Sequence, residues 1–156
     1  MKPDSKLSSV LHVLLHMAHS GRPLTSEQLA VFLNTNPVVV RRTLAGLRTL
    51  GYVDSAKGHG GGWTLSCDLA SVTLRDVYDA VGAPTVFAMG NRVEAPQCLV
   101  EQAVNHALDD ALQAAEALLL ARFAEITLAD LSADFDRRFA LVKAQGGTCT
   151  EVRHDQ

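Results

Sequence analysis

The chain has 156 residues, 47% of them apolar, and a formal net charge of −3, enough for one buried core with an appended arm. No apolar run reaches the roughly 18 residues that a membrane-spanning helix needs, and Met1 to Ser9 lacks an apolar stretch closing on a cleavage site, so the sequence reads as a cytoplasmic protein without a membrane partner. The charge divides unevenly: residues 1–66 hold seven Lys/Arg against three Asp/Glu, a balance of +4, and residues 67–156 hold seven against fourteen, a balance of −7, which suggests a basic working face joined to an acidic remainder.

Leu7, Val10, Leu11, Leu14, Leu15 and Ala18 recur at helical spacing and predict an amphipathic helix over about 6–19, closed by Gly21-Arg22-Pro23. Thr25-Ser26-Glu27-Gln28 opens a short second helix to about Leu33, because Thr25 and Gln28 have the spacing of a capping box. Asn36 then supplies an N-cap and Pro37 a preset φ for a third helix, which runs to about Leu50 and stops at Gly51. Its Val40, Leu44 and Leu47 share a face expected in the core; Val38, Arg42, Ala45 and Thr49 lie opposite, flanked by Val39 and Arg41. Two helices, a tight turn and arginines near the start of the second make a helix-turn-helix, whose second helix meets base edges in the major groove. Arg42 suits the acceptors of guanine, and Val38 or Val39 a thymine methyl.

Tyr52–Ala56 and Trp63–Ser66 are short strand candidates around Lys57-Gly58-His59-Gly60-Gly61-Gly62. The glycines permit positive φ and a tight hairpin, a wing that carries Lys57 and His59 toward phosphates or a minor groove. The same loop is not a nucleotide cradle, since GxxxxGK[ST] is absent and no helix follows it directly. The DNA-facing candidates are therefore Thr25, Ser26, Asn36, Val38, Val39, Arg41, Arg42, Lys57 and His59. Trp63, at the base of the wing, is expected to pack in the core.

Residues from about Pro96 to Ala124 predict one long helix. Val100, Val104, Ala107, Ala111, Ala114 and Leu118 alternate spacings of four and three, and Leu108 widens the apolar face. At about 1.5 Å per residue it is on the order of 40 Å long, more than a small wing domain covers. Its alanine-rich seam permits close helix approach, so Val100, Val104, Ala107, Leu108, Ala111 and Leu118 are the dimerisation candidates. Thr127 caps a last helix with Asp130 at its third position, and that helix is expected to bury Leu128, Leu131, Phe135, Phe139 and Val142. From Gln145 onward no periodicity remains, and a flexible tail is expected.

With these residues in place the sequence resembles the Rrf2 family of bacterial winged-helix regulators. The likeness is carried by Leu29-Ala30, Asn36-Pro37, Leu44, Leu47, Gly51-Tyr52-Val53, Lys57-Gly58, Gly61-Gly62-Trp63 and Leu65. It continues through Val72-Thr73-Leu74-Arg75-Asp76-Val77, Ala80-Val81-Gly82 and Thr127-Leu128-Ala129-Asp130-Leu131, and spans about residues 5–135. The resemblance implies a homodimer on an inverted-repeat operator and a long C-terminal helix crossing to the partner. Several family members hold an iron–sulfur cluster through three cysteines just before that helix. The matching segment here, about 91–98, has only Cys98; Cys67 lies by the wing and Cys149 in the tail. The three-cysteine pattern is thus absent and no cofactor is expected, with a mixed-ligand cluster around Cys98 as the alternative.

Cys98, at the start of the long helix, is the sensor candidate, because the positive end of a helix dipole lowers a thiol's pKa; an ordinary helix-start cysteine is the plain alternative. His12, His16 and His19 stand at i, i+4 and i+7, a spacing that can chelate a transition metal or simply line a half-exposed face, with His12 and His16 the weak metal candidates. There is no paired nucleophile and base, no HExxH and no nucleotide fingerprint, so an enzyme is not expected. A winged helix used only to bind protein is disfavoured by Arg42 and the basic wing. The reading is a mainly α protein with a small β-wing: a winged helix-turn-helix domain over 1–83, a helical effector and dimerisation region over 84–144, and a tail over 145–156. Its expected role is a homodimeric repressor of transcription on double-stranded DNA, tuned by a redox or small-molecule signal.

Overall fold

The computed structural model describes residues 5–91 and 95–146; the expected tail lies, beyond residue 146, outside the described residues. Helix α1 (Lys6–Ser20) ends at Gly21, whose φ of 62° is the left-handed stop that glycine makes without strain. Helix α2 (Ser26–Phe32) starts from the predicted capping box, with Thr25 accepting from the Gln28 N–H and the Gln28 side chain accepting from the Thr25 N–H. Helix α3 (Pro37–Thr49) is capped by Asn36, whose Oδ1 accepts from the N–H groups of Val38 (2.8 Å) and Val39 (3.2 Å).

Strands β1 (Val53–Ala56) and β2 (Gly62–Leu65) pair antiparallel from Val53–Leu65 to Ala56–Gly62. Tyr52 and Ser66, expected within the strands, instead close the base of the hairpin: the Ser66 N–H donates to the Tyr52 carbonyl at 3.1 Å. The loop after α1 adds a third edge, because Leu24 and Trp63 exchange backbone hydrogen bonds of 3.0 and 2.8 Å. The wing is thereby fastened to the start of the helix-turn-helix.

Helix α4 (Leu74–Ala80), helix α5 (Leu99–Glu125) and helix α6 (Leu128–Ala144) complete the chain. Helices α4 and α6 start from the same device: Thr73 with Asp76, and Thr127 with Asp130, form reciprocal capping boxes. The two caps lie side by side, with the Leu74 N–H donating to the Ile126 carbonyl at 2.8 Å and the Leu128 N–H to the Val72 carbonyl at 2.9 Å. Two helix N-termini thus meet, each satisfied by its own aspartate. Helix α5 begins three residues later than Pro96, because the backbone is still extended at Cys98 (φ −78°, ψ 124°); the Pro96 carbonyl accepts from the Gln102 side chain at 2.9 Å.

The core gathers Val10, Val13, Leu14 and Met17 from α1, Leu29 and Ala30 from α2, Val40, Leu44 and Leu47 from α3, and Val77 from α4. Leu128 of α6, fully buried, joins the same core, so the end of the chain packs back on its beginning. Farther along α6, Leu131, Phe135 and Phe139 are half-buried. Val142 is not buried as expected: it is 36% exposed, and the contacts of α6 with α1 fall nearer its start, where Ser132, Phe135 and Asp136 meet His19. No helix among the described residues is long and apolar enough to cross a membrane.

Candidate nucleic-acid interface

Helix α3 turns its buried stripe inward and leaves an unusual outer face. Val38 is 63% and Val39 47% exposed. Two largely exposed valines in the first turn of a helix are suited to an apolar contact such as a thymine methyl. Arg42, one turn on, is exposed, and no described carboxylate pairs with it. Arg41 donates from Nη1 to Glu27 Oε1 at 3.2 Å. Both partners are about half exposed or more, so this pair adds little stability; it holds the guanidinium over the start of α2. The Glu27 carboxyl lies below its usual range because of its own backbone N–H, the Thr25 hydroxyl and Arg41. A phosphate would compete with Glu27 for the same guanidinium.

The other predicted contacts separate. Thr25 and Asn36 are exposed, each with its oxygen committed to a cap; the Thr25 hydroxyl also favours the Glu27 carboxylate, so the asparagine amide is the donor left over. Ser26 is a correction: it is 6% exposed and its Oγ accepts from Trp63 Nε1 at 3.0 Å, so its side chain does not face a ligand. The bond spans 37 positions, from α2 to β2, and satisfies an indole N–H that partial burial would otherwise leave costly. Its role is to seat the wing beside α2, and no spacing in the sequence signals it.

Lys57 and His59 are exposed at the tip of the wing. Gly61 and Gly62 allow the turn: a Cβ on Gly61 would lie 2.4 Å from the Ala56 carbonyl oxygen, and one on Gly62, at φ 151°, would lie 2.8 Å from the Leu24 carbonyl oxygen. Arg48 Nε, 3.3 Å from Asp54 Oδ1, ties the end of α3 to β1. Recognition helix and wing are therefore one braced unit.

Helix α5 has two apolar sides. Leu112, Leu119 and Phe123 turn toward the chain, and Phe123 meets Tyr78 of α4 edge-on, with ring centroids 6.1 Å apart. Along another side Val100 (72%), Val104 (50%), Leu108 (46%) and Leu118 (75%) are exposed, with exposed Ala107 and Ala111 between them. Such a length of exposed aliphatic surface is unusual for a chain with no further partner.

Cys98 is the N-cap residue of α5 and exposed. Its thiol lies below its ordinary value because the N–H groups of Glu101 and then Val100 favour the thiolate. Cys67 is half-buried, and burial pushes its thiol up; Cys149 lies outside the described residues. His12 and His16 share a hydrogen bond between their Nε2 atoms (2.8 Å), and His16 stacks on Phe32 at 4.1 Å. His19 turns to α6, with Nε2 3.3 Å from Asp136 Oδ1 and its ring 4.4 Å from that of Phe135. The three histidines thus do not converge, and among the described residues no group of three or more His, Cys, Asp or Glu side chains is placed to hold a metal ion.

Residues 4–134 match the family model described as Rrf2, iron-dependent transcriptional regulator. The chain is 29% identical over 128 residues to YwnA of Bacillus subtilis (strain 168), named as an HTH-type transcriptional regulator; the match covers 82% of this chain and 95% of that protein. Among solved structures it is similar to a transcriptional regulator from Lactobacillus plantarum, with a TM-score of 0.70 and 28% identity over 91% of this chain and 97% of the other. It shares the fold of T. potens IscR at a TM-score of 0.61 and 17% identity, over 86% and 88% of the two chains.

Proposed function

The chain belongs to the Rrf2 family of DNA-binding transcriptional regulators and is not an enzyme; on that premise we propose that it is a homodimeric repressor acting in the cytoplasm on an inverted-repeat operator. The observation that carries the DNA side of the reading is the outer face of α3, where Val38, Val39 and Arg42 stand exposed on a helix fixed by the Asn36 cap. In the proposed complex the first turns of α3 enter the major groove. Arg42 reads guanine, and the valines pack on thymine methyls. Arg41 and the Thr25 hydroxyl exchange Glu27 for a phosphate, Asn36 donates to the backbone, and Lys57 and His59 reach it from the wing.

The dimer is supported by the exposed stripe on α5. Two such helices side by side would bury Val100, Val104, Ala107, Leu108, Ala111 and Leu118 and set two α3 helices at a fixed spacing. A signal that alters the angle between the two wing domains then weakens operator binding, because half-site spacing is rigid. A redox signal would be received at Cys98, whose exposure and lowered pKa favour thiolate chemistry. The described residues of one protomer gather no set of three or more His, Cys, Asp or Glu side chains around Cys98 or around His12 and His16.

The test is fluorescence anisotropy of a labelled promoter duplex at several salt concentrations. The expected result is a linear fall of log K with log salt, with a slope that becomes shallower by about one unit in Lys57→Ala. Binding that ignores salt, or that is unchanged in an Arg42→Ala, Lys57→Ala double variant, would contradict the reading.

A further inference from the structure

Helix α3 carries a restricted set of base readers. Its residues Pro37–Thr49 include no Asn, Gln, Asp or Glu, the side chains that recognise adenine and the cytosine amine in the major groove. Of its arginines, Arg41 faces Glu27 at 3.2 Å and Arg48 faces Asp54 at 3.3 Å, whereas Arg42 is exposed with no described carboxylate beside it. Thr43 is half-buried, and the Thr49 hydroxyl, in the last turn, donates to the Ala45 carbonyl at 3.1 Å. The first turns therefore offer two kinds of reader: a guanidinium, which suits guanine, and the aliphatic methyls of Val38 and Val39, which suit the C5 methyl of a pyrimidine. Arg42 follows Val38 by four residues and Val39 by three, so the three share one patch of the helix surface. They are separated by about 4.5–6 Å along the axis. Helical side chains lean toward the N-terminus, which lays the Arg42 stem over the turn that carries the valines and shortens that separation. Neighbouring bases on one strand rise by about 3.4 Å, so both readers fall on adjacent bases.

We propose that the reading head recognises a 5-methylpyrimidine beside a guanine, and that Val38 and Val39 detect the methyl group itself rather than the base that bears it. The inference rests on the reading of α3 as a recognition helix. Thymine always carries this methyl; cytosine gains it, at the same ring position, when it is methylated at C5. The two bases differ at C4, where thymine has a carbonyl oxygen and methylcytosine an amine. Without a carboxylate or amide, α3 has little with which to tell those groups apart. Methylation of a cytosine within the site therefore converts a poor contact into a good one. The signal is then written on the DNA, independently of any ligand and of Cys98. Burial of one methyl against the valines is worth about fourfold in affinity for each half-site.

The test selects bound duplexes with the purified full-length chain from random pools: one unmodified, one with uracil in place of thymine, one with 5-methylcytosine in place of cytosine. The unmodified pool is expected to enrich a half-site with thymine beside guanine. The uracil pool should lose that preference, and the third pool should admit methylcytosine at the position of the thymine. Affinities are then measured on the selected half-site. Uracil for thymine weakens binding about fourfold, and methylcytosine binds about fourfold more tightly than cytosine. Val38→Ser with Val39→Ser, at positions 63% and 47% exposed, leaves Tm unchanged and flattens both differences. Arg42→Ala leaves both in place and relaxes the guanine alone. The proposal is overturned if uracil binds as tightly as thymine, if methylcytosine binds no better than cytosine, or if the serine variant keeps either preference. A selected site indifferent to the methyl removes this proposal alone and leaves the recognition helix standing. An unmodified pool that enriches no sequence contradicts the recognition helix itself.

Discussion

The winged half and the long helix treat their apolar residues in opposite ways. In the first, Leu14, Leu29, Leu44 and Leu47 are at most 2% exposed, and the part left outside is basic or suited to DNA. In the second, Leu99, Val100 and Leu118 are each more than 70% exposed on a helix that runs 27 residues. A reading head of this kind can be closed by a single chain; an arm of this kind cannot. The difference suits the two tasks proposed above: a basic half to meet the nucleic acid, and an acidic half, whose own charge would repel it, to meet a second copy.

The largest effect is expected where the arm is broken. Val104→Asp with Leu118→Asp places charge on the exposed stripe without touching the core. The chain should sediment as a folded monomer, and affinity for a two-half-site duplex should fall on the order of 100-fold or more, as bivalency is lost. An unchanged sedimentation coefficient would remove α5 from the interface. Next is the wing hinge. Gly62→Ala forces a Cβ against the Leu24 backbone and should cost about 1–3 kcal/mol, read as a lower Tm together with weaker duplex binding; the arm variants by contrast keep their reading head intact.

Arg42→Ala is expected to act on affinity alone, by about 1–3 kcal/mol and with relaxed preference at one base pair, while Tm stays put because Arg42 has no described ion-pair partner. An equal loss on every sequence would reduce Arg42 to a phosphate contact. The smallest expected effect distinguishes the two described cysteines. Because backbone N–H groups lower the Cys98 thiol and burial raises that of Cys67, Cys98 should gain thiolate character at lower pH. In a Cys149→Ser background, alkylation followed by mass spectrometry should therefore label Cys98 first and from a lower pH. Equal rates in the folded protein would contradict the helix-start account.

Much of this was legible in the sequence because the governing forces are local. Thr25 with Gln28, Asn36 with Pro37, and Thr127 with Asp130 mark helix starts through bonds that reach only three residues, and Val40, Leu44 and Leu47 mark a buried face by period alone. What depended on distant partners was not legible. Ser26 reads as an exposed first-turn serine until Trp63 is seen to donate to it across 37 positions. Val142 continues the apolar period of α6, but periodicity does not say where the neighbouring helix ends. His12, His16 and His19 share a spacing that suggests one site, yet His16 stacks on Phe32 while His19 faces Asp136.

The central claim, a two-fold reader of DNA, is tested most directly by selecting bound duplexes from a random pool with the purified full-length chain and sequencing them. The account predicts an enriched pair of half-sites related by a dyad, with centres about one helical turn or a multiple of it apart. Enrichment of a single half-site would contradict the α5 dimer, and a pool that remains random would contradict sequence-specific reading by α3.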